Sequence, residues 1–230
     1  MFILKKNHML QPATIKFLQD LKKNNNKPWF DANRPRYESA KKDFETFLQL
    51  VIDKLAKSDE TIQGLKAKDC MFRINRDVRF AKDKSPYKTN FGASINKGGK
   101  KSSLAGYYFH LEPGSSFIGG GLWMPMPKEL ALVRQEVDYC FNEFIKITSA
   151  KGFKNTYNEL YQGKDSKLQR VPKGYEAENP AAEFLKLKSF IAMHSMSDKD
   201  VKAPELVKKS VVALQALQPL IEFMNRALKD

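Results

Sequence analysis

Only two cysteines, Cys70 and Cys140, and three histidines, His8, His110 and His194, occur in the 230 residues, and no CxxC, HxxxH or HExxH spacing joins them. That removes the donor sets of zinc fingers and of the common zinc hydrolases, so no metal ligand set is read from the chain. No cofactor is implied either. Two isolated thiols, with an opening Met1-Phe2-Ile3-Leu4 far too short for a secretory leader, point to a reducing compartment, and a cytoplasmic location is expected. No apolar run approaches the roughly 20 residues of a membrane helix, so no membrane partner is expected.

The familiar phosphate cradles are missing as well. The Gly119-Gly120-Gly121 run carries Met124 where the dinucleotide fingerprint needs glycine, and the strand-then-helix context is lacking. Asn96 to Ser103 is not a P-loop, because Ser94 stands where its first glycine belongs and Lys101 where a hydroxyl residue is required. A GxSxG nucleophile elbow is absent, and no helix-turn-helix, zinc-finger or RNP pattern is visible.

Acidic residues are also scarce: 26 against 40 basic ones, a formal charge of +14. Such a balance favours anionic partners, either an anionic small molecule or nucleic acid, although a Lys-rich composition also serves solubility alone. The distribution is more telling than the total. Between Lys66 and Lys101 stand eleven basic residues and three acids, so 11 − 3 = +8 sits in one stretch.

At 42% apolar residues the chain has ample material for a core, and no internal repeat or flexible linker divides it. Gln11 to Asn26 reads as a helix with Pro12 in its first turn. Tyr37, Ala40, Phe44, Phe47, Leu48, Val51 and Leu55 follow the three-and-four spacing of a second. The middle third changes period. Phe72, Ile74, Val78 and Phe80 alternate with polar residues as in a half-buried strand, in which Arg76 breaks the apolar row, so that either a bulge near Asn75 to Asp77 re-aims it or it reaches a paired, functional position beneath the sheet. Tyr107 to Leu111 and Ser116 to Trp123 form a predicted hairpin around Glu112-Pro113-Gly114-Ser115. Asn96 to Ser103 and Gly163 to Asn179 read as loops. Further helices are predicted over Pro127 to Thr148, near Pro180 to Leu187, and from Pro204 to Leu228 with a kink at Pro219, and a strand over Phe190 to Met196. The expectation is a single α+β domain over 11–230, a largely antiparallel central sheet flanked by helices, behind a disordered segment 1–10 that includes His8.

The candidate site centres on Phe72 to Asn90, FRINRDVRFAKDKSPYKTN. Arginine forks pair two-to-two with phosphate or carboxylate oxygens, so Arg73, Arg76 and Arg79, with Lys84, Tyr87 and Lys88 after a Ser85-Pro86 turn, are candidate ligand-binding residues. On a straight strand Arg73 and Arg79 stand about 20 Å apart, too far for one phosphate unless the strand bends. Asp77 is a candidate general base, and His110, alternating with Tyr108 on the face opposite Tyr107, Phe109 and Leu111, a candidate acid or base. Gly119, Gly120 and Gly121 invite a close visitor, a ligand or a packed aromatic, with Trp123 beside them. The competing reading is a salt-bridge network in which the arginines and Asp77 only pair with neighbours. Nucleic-acid binding is the alternative function, since Phe72, Phe80, Tyr87 and Phe91 lie among the cations as stacking surfaces.

These residues resemble a family known only as domain of unknown function 2461. The resemblance spans nearly the whole chain and is carried by Phe17-Leu18, Leu21, Asn24-Asn25, Trp29-Phe30 and Tyr37, the FRINRDVRFAKDKSPYK block, Tyr108-x-His110-Leu111, the Gly119 to Pro125 run and Arg134. It implies a protein type found in bacteria and some fungi, and it implies no activity and no catalytic role.

Overall fold

The computed structural model describes residues 9–228. Residues 1–8, including His8, lie outside the described residues, and Leu10 is already buried. In chain order the helices are α1 (Pro12–Lys23), α2 (Lys27–Ala32), α3 (Arg34–Leu55), α4 (Ala67–Cys70), α5 (Pro127–Tyr139), α6 (Phe141–Ser149), α7 (Lys151–Tyr157), α8 (Ala182–Leu185), α9 (Asp198–Val201), α10 (Leu206–Gln215) and α11 (Gln218–Ala227). The strands are β1 (Phe91–Ile95), β2 (Gly106–Leu111), β3 (Ser116–Leu122) and β4 (Phe190–Met196), in one antiparallel sheet of order β1-β2-β3-β4. The protein is α+β, as its mixed periodicity predicts.

Two compact units are distinguished among the described residues, one over 9–101, 108–118 and 195–212, the other over 102–107, 119–194 and 213–228. In the first, the apolar faces of α1 and α3 build an aromatic core. Phe44 and Phe47 lie 6.0 and 4.9 Å from Phe109, and Phe44 stacks on Phe91 at 5.5 Å. The Asn24-Asn25-Asn26 run divides three tasks. Asn24 ends α1, its N–H reaching the carbonyls of Asp20 and Leu21, and Asn26 begins α2 by accepting from the Trp29 N–H at 3.0 Å. Asn25 bonds the backbone of Tyr87 instead.

The second unit gathers Phe144, Phe184, Phe190 and Phe223, with centroids 5.0, 6.3 and 5.6 Å from Phe144 respectively. The helix predicted over Pro127 to Thr148 is broken at Cys140, whose ψ of 36° leaves the helical region. Arg226 spans the break, donating to Glu136 on α5 and Glu143 on α6. Pro219 does not kink a continuous helix. It occupies the first turn of α11, where its missing N–H leaves no bond unmade, so the long C-terminal helix is two.

Phe72 to Phe80 is not a strand. Ile74 is buried, but Phe72 is 37% and Phe80 96% exposed. Alternation makes a strand only where a neighbour supplies the ladder. Here backbone bonds to the opposite arm of the chain are scattered over Phe72, Ile74 and Arg76, and beyond them local side chains take over, Asp77 accepting from the Arg79 N–H and Lys84 donating to the Val78 carbonyl.

Candidate functional site

The basic block folds back on itself as an irregular hairpin. Isolated antiparallel pairs join Met71 to Ala93 and Asn75 to Tyr87, with Phe72 N–H to Gly92, Arg76 N–H to Pro86 and Lys88 N–H to Ile74 carbonyls at 2.9, 2.9 and 2.7 Å. Between those pairs one arm advances from 71 to 75 while the other advances from 87 to 93, so the extra length lies in Lys88 to Gly92. The extra residues thus fall on the opposite arm and not at Asn75 to Asp77, where the sequence predicts a bulge. Tyr87 anchors the base: it is buried, its ring stacks on Phe30 at 3.9 Å, and the Asn25 amide pairs with both its backbone groups.

Three of the six cations between Phe72 and Asn90 are engaged within the block. Arg76 donates to Asp83 at 2.5 Å and to the Ser85 carbonyl at 3.1 Å. Arg79 forms a two-pronged pair with Asp77 at 3.0 and 2.7 Å. Lys84 is held by the Val78 carbonyl at 3.0 Å. The Asp77 carboxyl is lowered by the Arg79 side chain and then its N–H, and Asp83 is lowered to about 2 by the Ser85 hydroxyl and N–H, then Arg76. Asp77 is therefore a weaker base than an ordinary carboxylate. Arg73 and Lys88 differ. Among the described residues neither makes an ion pair, and the Lys88 ammonium is pushed below its ordinary range by burial first and Arg73 second, while its Nζ stands 5.3 Å from the Phe72 ring.

Beneath them lies a polar row on β2. Tyr107, Phe109 and Leu111 point to the core, so Tyr108 and His110, and Glu112 just beyond the strand, share the other face. Tyr108 Oη stands 3.4 Å from His110 Nδ1, His110 Nε2 stands 3.2 Å from Glu112 Oε2, and Thr89 Oγ1 donates to Glu112 Oε1 at 2.6 Å. Phe117 stacks on His110 at 4.7 Å, and Phe72 packs 6.4 Å from Tyr108. Burial raises the Tyr108 phenol. At Glu112 burial pulls upward but the Thr89 and His110 hydrogen bonds prevail, leaving its carboxyl lowered. Gly92 makes room for this row: a Cβ there would stand 2.5 Å from Tyr108 Oη.

The structure thus brings Arg73, Lys88, Tyr108 and His110 into one neighbourhood through Phe72. It adds Glu112, Thr89, Phe117, Gly92 and Asn25, which the sequence reading passed over. Extending the Tyr108-His110 alternation by one step would have reached Glu112. Asn25 and Tyr87 both stand among the residues that carry the family resemblance, but nothing in the sequence pairs them across 62 positions. Gly119, Gly120 and Gly121 belong to the second unit, where a Cβ would collide with the backbone carbonyls of Ala192, Gly106 and Phe190 respectively. Neighbouring backbone is what approaches these glycines. Trp123, 62% exposed, is in the same unit. Cys70 is fully buried, with its thiol pushed up to about 12 by burial and then by Asp69. Among the described residues no three His, Cys, Asp or Glu side chains are grouped to hold a metal, and no helix is long and apolar enough to cross a membrane.

The fold and this face define an α+β protein whose four-stranded antiparallel sheet carries a basic hairpin against a tyrosine-histidine-glutamate row. The chain belongs to the conserved hypothetical protein family DUF2461, whose model matches residues 13–223. No curated protein and no solved structure matches it significantly.

Proposed function

We propose that the protein binds a small molecule bearing phosphate or carboxylate at the base of the hairpin, between Arg73 and Lys88, with Tyr108 and His110 beside it. The observation that carries this reading is Lys88: a half-buried ammonium next to Arg73, both without an ion pair among the described residues, is a charge arrangement that an anion relieves. Asp77, the carboxylate that Arg73 acts on, is committed to Arg79. Arg76 and Arg79, paired inside the loop, hold its shape in this reading and do not grip the ligand. The row Tyr108, His110 and Glu112 offers donors and acceptors for a proton next to the bound anion, which is the enzymatic form of the proposal. A cytoplasmic site of action goes with it, since both cysteines are free thiols.

The test is thermal denaturation with inorganic phosphate, phenyl phosphate and citrate. At least one should raise the melting temperature of the wild type in proportion to the logarithm of its concentration, and Lys88→Ala or Arg73→Ala should abolish the shift. No shift with any of the three, or an undiminished shift in both variants, rejects the reading.

A further inference from the structure

We infer that Phe80, at the tip of the basic hairpin, is a stacking residue for single-stranded nucleic acid, whose phosphates run past Arg79, Lys82 and Lys84. This surface shares no residue with the small-anion site at Arg73 and Lys88.

Phe80 is 96% exposed, and its neighbours Val78 and Ala81 are half-buried, so the loop presents one bare aromatic ring and no apolar patch. A phenyl group left in water without a polar handle gains nothing for the fold. The segment that displays it is nonetheless held by the pairs Arg79 to Asp77 and Arg76 to Asp83 and by the Lys84 bond to the Val78 carbonyl. Such stapling lowers the ordering entropy lost on binding. The cations are placed to match. The Arg79 guanidinium stands 5.9 Å from the ring centroid, and Lys82 is exposed with no ion pair among the described residues. One ring flanked by cations is the element from which sequence-tolerant single-strand binding is built, because every base has a π-face and every linkage a phosphate. A duplex offers no free base face. An anionic lipid surface is the weaker fit, since a single phenyl ring gives too small an apolar footprint to anchor a protein of this size.

The experiment measures fluorescence anisotropy of a labelled 20-nucleotide oligothymidine with the full chain at 50 and 200 mM salt. The wild type should bind, with affinity falling steeply across that range. Phe80→Ala should weaken binding about 5- to 100-fold, with circular dichroism and any phosphate-induced thermal shift unchanged. Phe80→Trp should restore binding, with an added tryptophan emission quenched by the oligonucleotide. Lys82→Ala combined with Lys84→Ala should weaken binding and flatten the salt dependence. The inference is overturned if the wild type does not bind at 50 mM salt, if Phe80→Ala binds as the wild type does, or if a duplex of the same length binds equally well. Phe80-dependent sedimentation with phosphatidylserine vesicles and no oligonucleotide binding would make the tip a lipid contact and overturn it too.

Discussion

The side-chain amide of Asn25 donates to the Tyr87 carbonyl at 2.8 Å and accepts from the Tyr87 N–H at 3.0 Å, completing at the hairpin base what a neighbouring strand would otherwise supply. Asn25→Ala leaves both groups of a buried residue unpaired. The expected loss is about 1–3 kcal/mol in urea unfolding, and Asn25→Asp, which lacks the amide donor, should fall on the same side. A wild-type unfolding midpoint in both variants would show that the latch is dispensable.

Two glycines should separate a repairable clash from one that cannot be repaired. At Gly92 an added methyl meets the end of the Tyr108 ring, which moves at the expense of its contact with His110. Gly92→Ala should destabilise by about 1–3 kcal/mol and alter the near-ultraviolet circular dichroism of the tyrosine. At Gly121 the φ of 121° and the Phe190 backbone leave no such escape, so Gly121→Ala should lose at least about 3 kcal/mol or fail to fold. The ranking Gly121→Ala worse than Gly92→Ala is the measurable claim.

The loop should open in acid. Asp83 is lowered to about 2 by Ser85 and Arg76, below the ordinary value of 3.8. Its contribution to loop order is therefore complete above pH 4 and is lost as pH falls through about 2. Amide resonances of Ser85 should titrate with a midpoint near 2, and Asp83→Asn should remove the transition. A midpoint near 4 would mean that the interaction is not formed.

Cys70 should be chemically silent in the folded protein. Its thiol, pushed up to about 12 by burial, is fully protonated at pH 8, whereas Cys140 is only half-buried. Iodoacetamide at pH 8 should label Cys140 first and Cys70 only on unfolding. Because the folded value lies above the ordinary 9, the stability Cys70 contributes is present below pH 9 and declines as pH rises towards 12.

Much of this architecture is legible in the chain. The spacing of Phe44, Phe47, Val51 and Leu55 is a buried helical face, and the alternation of Tyr107, Phe109 and Leu111 against Tyr108 and His110 is a strand with one face in the core. In both, local periodicity and burial agree, because a regular element repeats its environment along its length. The basic block had the same alternation and no strand, because its cross-arm pairing is limited to isolated bridges and the backbone beyond Arg76 is met by Asp77, Asp83 and Lys84 from within six residues in sequence.

The sequence by itself determined the elements that carry their own periodicity, the local concentration of positive charge, and the absence of the usual phosphate and metal motifs. Tertiary structure alone decided which cations remain unpaired. Arg76 and Arg79 are indistinguishable from Arg73 as residues in a list. The fold-back of the loop brings Asp83 to Arg76, the local turn lets Asp77 reach Arg79 two residues on, and Arg73 is left beside Lys88, because ion pairing depends on distance in space, which the path of the chain sets and a pattern of residue types does not.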